Sequence, residues 1–254
     1  MSRTARLWLF GAAAAVIAAC FAAACIGLPS FGTTTHPYGE RAVAAALRQR
    51  TANAVSSVNF DLRAFDTLGE ESILFASVLG ATMLLRLARD ERKNVPGRER
   101  VLPSTRLFGA LLLPVTLLVG VYIVAHGQLS PGGGFQGGVV LATGLHLAYV
   151  AADYLVLKQV RPLEVLDIAD ALAAGAFTAL GVAGLIVSGA FLHNFLPLGT
   201  FNQLSSGGLV PVINAAVGIE VGSGVIVLLA GFLDQAVEIS EAGRGPAAPD
   251  AKDA

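Results

Sequence analysis

Apolar runs close to twenty residues long alternate with short polar stretches along this chain, at 7–27, 72–87, 107–125, 134–157, 171–192 and 211–236. At about 1.5 Å of rise per residue, roughly twenty apolar residues carry a helix across the hydrocarbon core of a bilayer. The pattern predicts an all-α integral membrane protein with about six transmembrane helices. Its segments are an N-terminal transmembrane helix over 1–27, an external loop over 28–66 and a second transmembrane helix over 67–88. A basic cytoplasmic linker at 89–104, a four-helix membrane domain at 105–236 and a disordered tail at 237–254 follow. The tail is rich in Gly, Pro, Ala and charge, a composition that cannot bury enough apolar surface to fold.

Boundary residues refine this. Arg3 and Arg6 precede the first apolar run, which exceeds the roughly 7–15 residues of a signal-peptide core, so a retained helix is favoured over a cleaved signal. Ala22-Ala23-Ala24-Cys25 resembles a weak lipoprotein cleavage box, but it lies deep in the apolar run. In the loop, Val43, Leu47, Ala54 and Val58 fall on one arc of a helical wheel. A helix lying in the membrane interface and a solvent helix packed on the loop both fit that arc. Thr67 and Glu70 have the spacing of a capping box. Pro114 kinks the third helix, Asp167 or Asp170 is expected to cap the fifth, and Pro211 suits the first turn of the sixth.

The third and fourth helices are separated by a Pro/Gly-rich break, His126-Gly127-Gln128-Leu129-Ser130-Pro131-Gly132-Gly133-Gly134-Phe135-Gln136-Gly137-Gly138. Pro131 cannot continue a helix, and the glycines admit turns that side chains forbid. A tight turn at the membrane edge and a packed structural feature are both open, since irregular backbone is tolerated only there or buried in protein.

With 54% hydrophobic and 14% charged residues, the composition lies far below the roughly 25% charge of soluble domains. The net charge of -1 and the lack of a basic, aromatic-studded block argue against nucleic acid. Cys20 and Cys25 point to different faces of one helix and read as small apolar fillers. No catalytic, cofactor or metal motif occurs: there is no His-x-x-x-His or Cys-x-x-Cys, and no Gly-Lys-Ser/Thr follows the glycines. What remains is ionisable groups in apolar helices, which usually mark ion paths. Glu220 lies near the centre of its run. His146 and Asp153, with Tyr149 beside them, share a helix face about 10 Å apart along the axis. Glu70 and Glu71 open the second helix. For Glu220 and His146 the alternative is a neutral, hydrogen-bonded packing role.

The run His126 to Ala142 resembles the signature of the B subunit of Mrp-type multisubunit sodium/proton antiporters, as does Gly207-Gly208-Leu209-Val210-Pro211-Val212-Ile213-Asn214 with Val217-Gly218-Ile219-Glu220-Val221. Val58-Asn59-Phe60-Asp61-Leu62-Arg63-Ala64-Phe65-Asp66-Thr67-Leu68-Gly69-Glu70 is similar to the C-terminal end of the A subunit, which makes 67–88 A-subunit-like and 105–236 B-subunit-like. Many members of the family carry a second His where this chain has Gln128, so no proton-handling role is carried over to that position. The resemblance implies a non-enzymatic subunit of a cation/proton antiporter. It implies many-helix A- and D-type subunits and small membrane subunits as partners, and sodium or another monovalent cation and protons as transported ions. A subunit of an energy-converting hydrogenase-type complex, or a purely structural subunit, is the alternative. Four of the 17 basic residues (Arg41, Arg48, Arg50, Arg63) fall outside and the rest inside if both termini are cytoplasmic in the plasma membrane.

Overall fold

The computed structural model describes residues 3–28, 32, 36–85, 101–151 and 163–242. Every regular element among them is helical: α1 Arg3–Ile26, α2 Pro37–Arg48, α3 Ala54–Ser57, a π-turn Val58–Leu62, α4 Ala64–Leu84, α5 Pro103–Ala125, α6 Gly134–Ala151, α7 Leu163–Ser188 and α8 Val210–Ala242. Among the described residues, four stretches are long and apolar enough to cross a membrane: Arg3–Ile26, Pro103–Ala125, Glu164–Ser188 and Val210–Phe232. Of the other two expected spans, α4 carries Glu70 and Glu71, and α6 is described only as far as Ala151. Large apolar side chains line exposed surfaces of α5 and α7, among them Phe108, Leu111, Leu118, Leu172 and Ile186. Apolar surface this extensive belongs against lipid or another protein.

The chain divides into two units, Met1–Arg41 and Ala42–Ala254. In the first, α1 contributes no buried residue, and Cys20 and Cys25 are exposed rather than packed as fillers.

In the second unit, glycine contacts give the helix directions. A Cβ at Gly120 of α5 would meet Leu141 of α6, and one at Gly109 would meet Ala151, so α5 and α6 are antiparallel. Gly134 and Gly138 of α6 face Gly218 and Gly222 of α8 in the same order, so these two are parallel. Gly224 and Gly231 of α8 meet Val78 of α4 and Leu85 at its C-terminal end, again in parallel. Asp170 of α7 also borders Gly224, while Phe177 joins Ile213 and Val217 in the core, so α7 runs antiparallel to α8. Thus α8 is the central helix, flanked by α4, α6 and α7, and core residues Phe60, Phe177, Leu192, Leu209 and Val221 fill the space.

One end of the bundle is closed by three loops tied together. Asn53 Nδ2 donates to Gly127 O and Ser130 O, both at 2.8 Å, and Gln128 Nε2 donates to Leu204 O at 2.8 Å. Arg50 donates to Gly199 O.

Three local expectations are corrected here. The buried side of α2 is Ala42, Ala45 and Ala46, while Val43 and Leu47 are exposed. Small residues let this short helix approach the protein closely, and the larger ones face outward. The capping box at Thr67 does not form, because helical backbone already begins at Ala64, and Thr67 Oγ1 instead donates to Asn59 O at 2.7 Å. The cap upstream is Asn53, whose side chain accepts from Val55 N and Ser56 N. At the other end of the chain, α8 continues to Ala242, past the expected end at Ala236.

Candidate functional site in the membrane helices

The Pro/Gly-rich break is a packed element. Gly133, Gly134, Gly137 and Gly138 are buried, while Pro131 and Phe135 are exposed. Gly132 and Gly133 have φ values of 135° and 143°, a region that side chains rarely enter. Past the turn, a Cβ at Gly138 would stand 2.8 Å from Gly218 O and 3.0 Å from Gly222 N, so the α6 backbone lies almost on that of α8.

Asn214 locks this junction. Its Oδ1 accepts from Gly134 N at 2.8 Å, and its Nδ2 donates to Ser56 Oγ at 3.1 Å and Val210 O at 3.0 Å. One fully buried amide thus ties α3, α6 and α8. Asn214→Leu would leave the Gly134 N–H and the Ser56 hydroxyl without this partner, at a cost of about 2 kcal/mol. The expected readout is a lower thermal midpoint of the detergent-solubilised chain. His126 at the end of α5 stacks on Tyr122 with ring centroids 4.1 Å apart, and its Nδ1 lies 3.1 Å from Tyr122 O. It serves the helix end. Gln128 is fully buried, with Oε1 unpartnered.

The ionisable candidates separate into two places. Glu220 is 1% exposed, and both of its carboxyl oxygens are enclosed without a hydrogen-bond partner. It lies one helical turn from Gly224, on the side of α8 turned to α4 and α7 rather than to α6. Glu71 from α4 is 3% exposed, whereas adjacent Glu70 is exposed. Asp170 of α7 is 7% exposed, and a Cβ at Gly224 would stand 3.3 Å from Val78 Cγ2 and 3.4 Å from Asp170 Oδ1. Glu71 and Asp170 both act electrostatically on Glu220.

Asp170 was expected as a possible helix cap. The helix already runs from Leu163, so Asp170 stands inside it, on the stripe that continues through buried Ala173 and Phe177. That stripe was legible as a 3.6-residue period, and the acid on it was the signal.

His146 is elsewhere. It continues the row Gly134, Gly138, Ala142 on α6, half-buried, with Nε2 enclosed and unpartnered. The row faces Gly218 and Gly222, away from the Glu220 side of α8. Asp153 lies outside the described residues. Among the described residues, no group of three His, Cys, Asp or Glu side chains is placed to hold a metal ion. At the capped end, burial pushes the Asp61 carboxyl up from its usual value, with His193 pulling the other way.

Apolar helices with enclosed carboxyl groups define an integral membrane protein. Its family is that of the MnhB subunits: residues 104–227 match the domain related to the MnhB subunit of Na+/H+ antiporter, and the chain belongs to that family. The family takes its description from a subunit of a membrane antiporter. An uncharacterized protein of Methanocaldococcus jannaschii is 30% identical over 198 residues, covering 68% of this chain and 74% of the relative. Among solved structures, a chain of the membrane-bound sulfane sulfur reductase (MBS), an archaeal respiratory membrane complex, is 28% identical with a TM-score of 0.66. That match covers 90% of this chain and 98% of the other. The Mrp complex from Dietzia sp. DQ12-45-1b contains a chain of the same fold, 23% identical with a TM-score of 0.65. There the match covers 91% of this chain but only 26% of the longer one.

Proposed function

We propose that this chain is a six-span subunit of a monovalent cation/proton antiporter assembly, exchanging sodium for protons across the plasma membrane, with Glu220 as its proton-handling group. The observation that carries the reading is Glu220 itself, a carboxyl group in the 210–232 span with both oxygens enclosed and unpartnered. Glu70, Glu71, His146 and Asp153 are secondary candidates, of which Glu71 has the support of burial beside Glu220. Large many-helix A- and D-type subunits and small membrane subunits are the proposed partners, with lipid covering the remaining apolar faces. Reconstitution of the native complex tests this. Sodium uptake driven by a proton gradient is expected, and its absence, with no other monovalent cation moved, removes the reading.

A second reading has its own support, because the match to the respiratory complex spans nearly the whole of that chain. In it, the same fold serves the membrane arm of a redox complex. Subunit identification after purification in mild detergent separates the two, since redox-cofactor subunits belong only to the second.

Both termini are proposed to be cytoplasmic. The capped end carries Arg48 and Arg50, whereas the basic 86–100 stretch joins the opposite ends of α4 and α5. In a background lacking Cys20 and Cys25, a cysteine placed at exposed Thr200 is expected to react with an impermeant thiol reagent in intact cells, and one at Gly245 only after lysis. The reverse pattern would invert the topology.

A further inference from the structure

We propose that Glu71, Asp170 and Glu220 act as one proton-storing unit, three carboxyl groups from three helices that hold their protons in common. This rests on the reading of Glu220 as the proton-handling group and adds two members to it, one of them expected only as a helix cap. The three side chains are at least nine-tenths buried, and Glu220 Oε1 and Oε2 together with Glu71 Oε2 are enclosed with no hydrogen-bond partner. A Cβ at Gly224, one turn after Glu220, would lie 3.4 Å from Asp170 Oδ1 and 3.3 Å from Val78 Cγ2, two turns after Glu71. The three acids thus sit on facing sides of α4, α7 and α8, within electrostatic reach of one another.

Among the described residues, the other charges that act on the set are also acidic, Glu70 on Glu71 and Asp167 on Asp170. Other titratable groups on the described elements packed against α8 are Asp66 of α4, Glu164 of α7, His146 and Tyr149 of α6, Arg106 and Tyr122 of α5, and Asp61 of the π-turn with His193 beside it. None of these is among the charges acting on the three carboxyl groups. Three carboxylates enclosed together would repel one another and forgo hydration. Bound protons remove both penalties. A proton needs only one oxygen and a second to receive it. Carboxyl groups coupled in this way release protons in steps that belong to the set. A proton reaching Glu220 can pass to Glu71 or Asp170 with only O–H bonds broken and formed, and the count is unchanged.

The test uses the full chain in mild detergent and dicyclohexylcarbodiimide, an apolar reagent that adds to protonated carboxyl groups, with adducts located by mass spectrometry. At an alkaline pH where wild-type Glu220 still reacts, Glu71→Gln and Asp170→Asn are each expected to lower labelling of Glu220 about tenfold, the effect of one pH unit of lost coupling. Glu71→Asp and Asp170→Glu should keep it, which separates shared protons from lost packing. Exposed Glu164→Gln should leave it unchanged. Unaltered labelling in either neutral variant overturns the proposal, as do equal losses in the acidic and neutral variants or a wild-type Glu220 that never reacts. A Glu220→Gln complex that still transports would remove the functional reading while leaving these labelling results standing.

Discussion

Glu220→Gln is expected to assemble normally and to lose most ion-driven proton movement, at least about tenfold, in everted vesicles. The carboxyl group lies in the middle of the 210–232 span, and at 1% exposure its side chain cannot reach water by snorkelling. An ionised carboxylate at mid-bilayer costs roughly 2.5–3.5 kcal/mol on insertion scales. A group kept there in spite of that cost, without a hydrogen-bond partner, is suited to loading and releasing a proton. Gln keeps the shape and hydrogen-bonding capacity and removes titration. Glu220→Asp keeps titration on a shorter arm and should retain part of the activity. Full transport in the Gln variant would make Glu220 a packing residue and leave a structural subunit as the better description.

Gly133→Val should act on assembly instead. With φ at 143°, a β-branched side chain there is strained by about 1–3 kcal/mol. Its Cβ would also fall 2.9 Å from Asn214 Oδ1, the atom that accepts the Gly134 N–H bond. Losing that bond adds roughly 1–3 kcal/mol for a buried group left unpaired. The expected result is little complex recovered from the membrane, with transport per assembled complex largely kept. Normal recovery without transport would instead place the turn in the ion path.

By itself the sequence determined the membrane class, the places of the apolar helices and the family motifs. Hydrocarbon-length runs and backbone self-sufficiency leave a spanning chain few alternatives. It also singled out Glu220, because a carboxyl in the middle of an apolar run stands out without any knowledge of its neighbours. The broken run of glycines was equally visible, but its role was not. A turn at the membrane edge and a packed junction have the same composition, and only the approach of Gly134 and Gly138 to the α8 backbone selects the second. Asn53 and Asn214 were passed over for a related reason, since their partners are 74 and 80 residues away in the chain.

The tertiary structure decided which acids meet. Glu70 and Glu71 are neighbours in sequence, yet a helix turns them roughly 100° apart, and only Glu71 enters the core. Asp170 looked like a cap because acidic residues cluster near helix starts, until the start of α7 at Leu163 set it inside the helix and against Gly224. A single chain of residues fixes which faces a helix can offer through its 3.6-residue period. Which of those faces turn toward one another depends on the helix directions and close crossings set by small residues on different helices, and local sequence carries no record of that pairing.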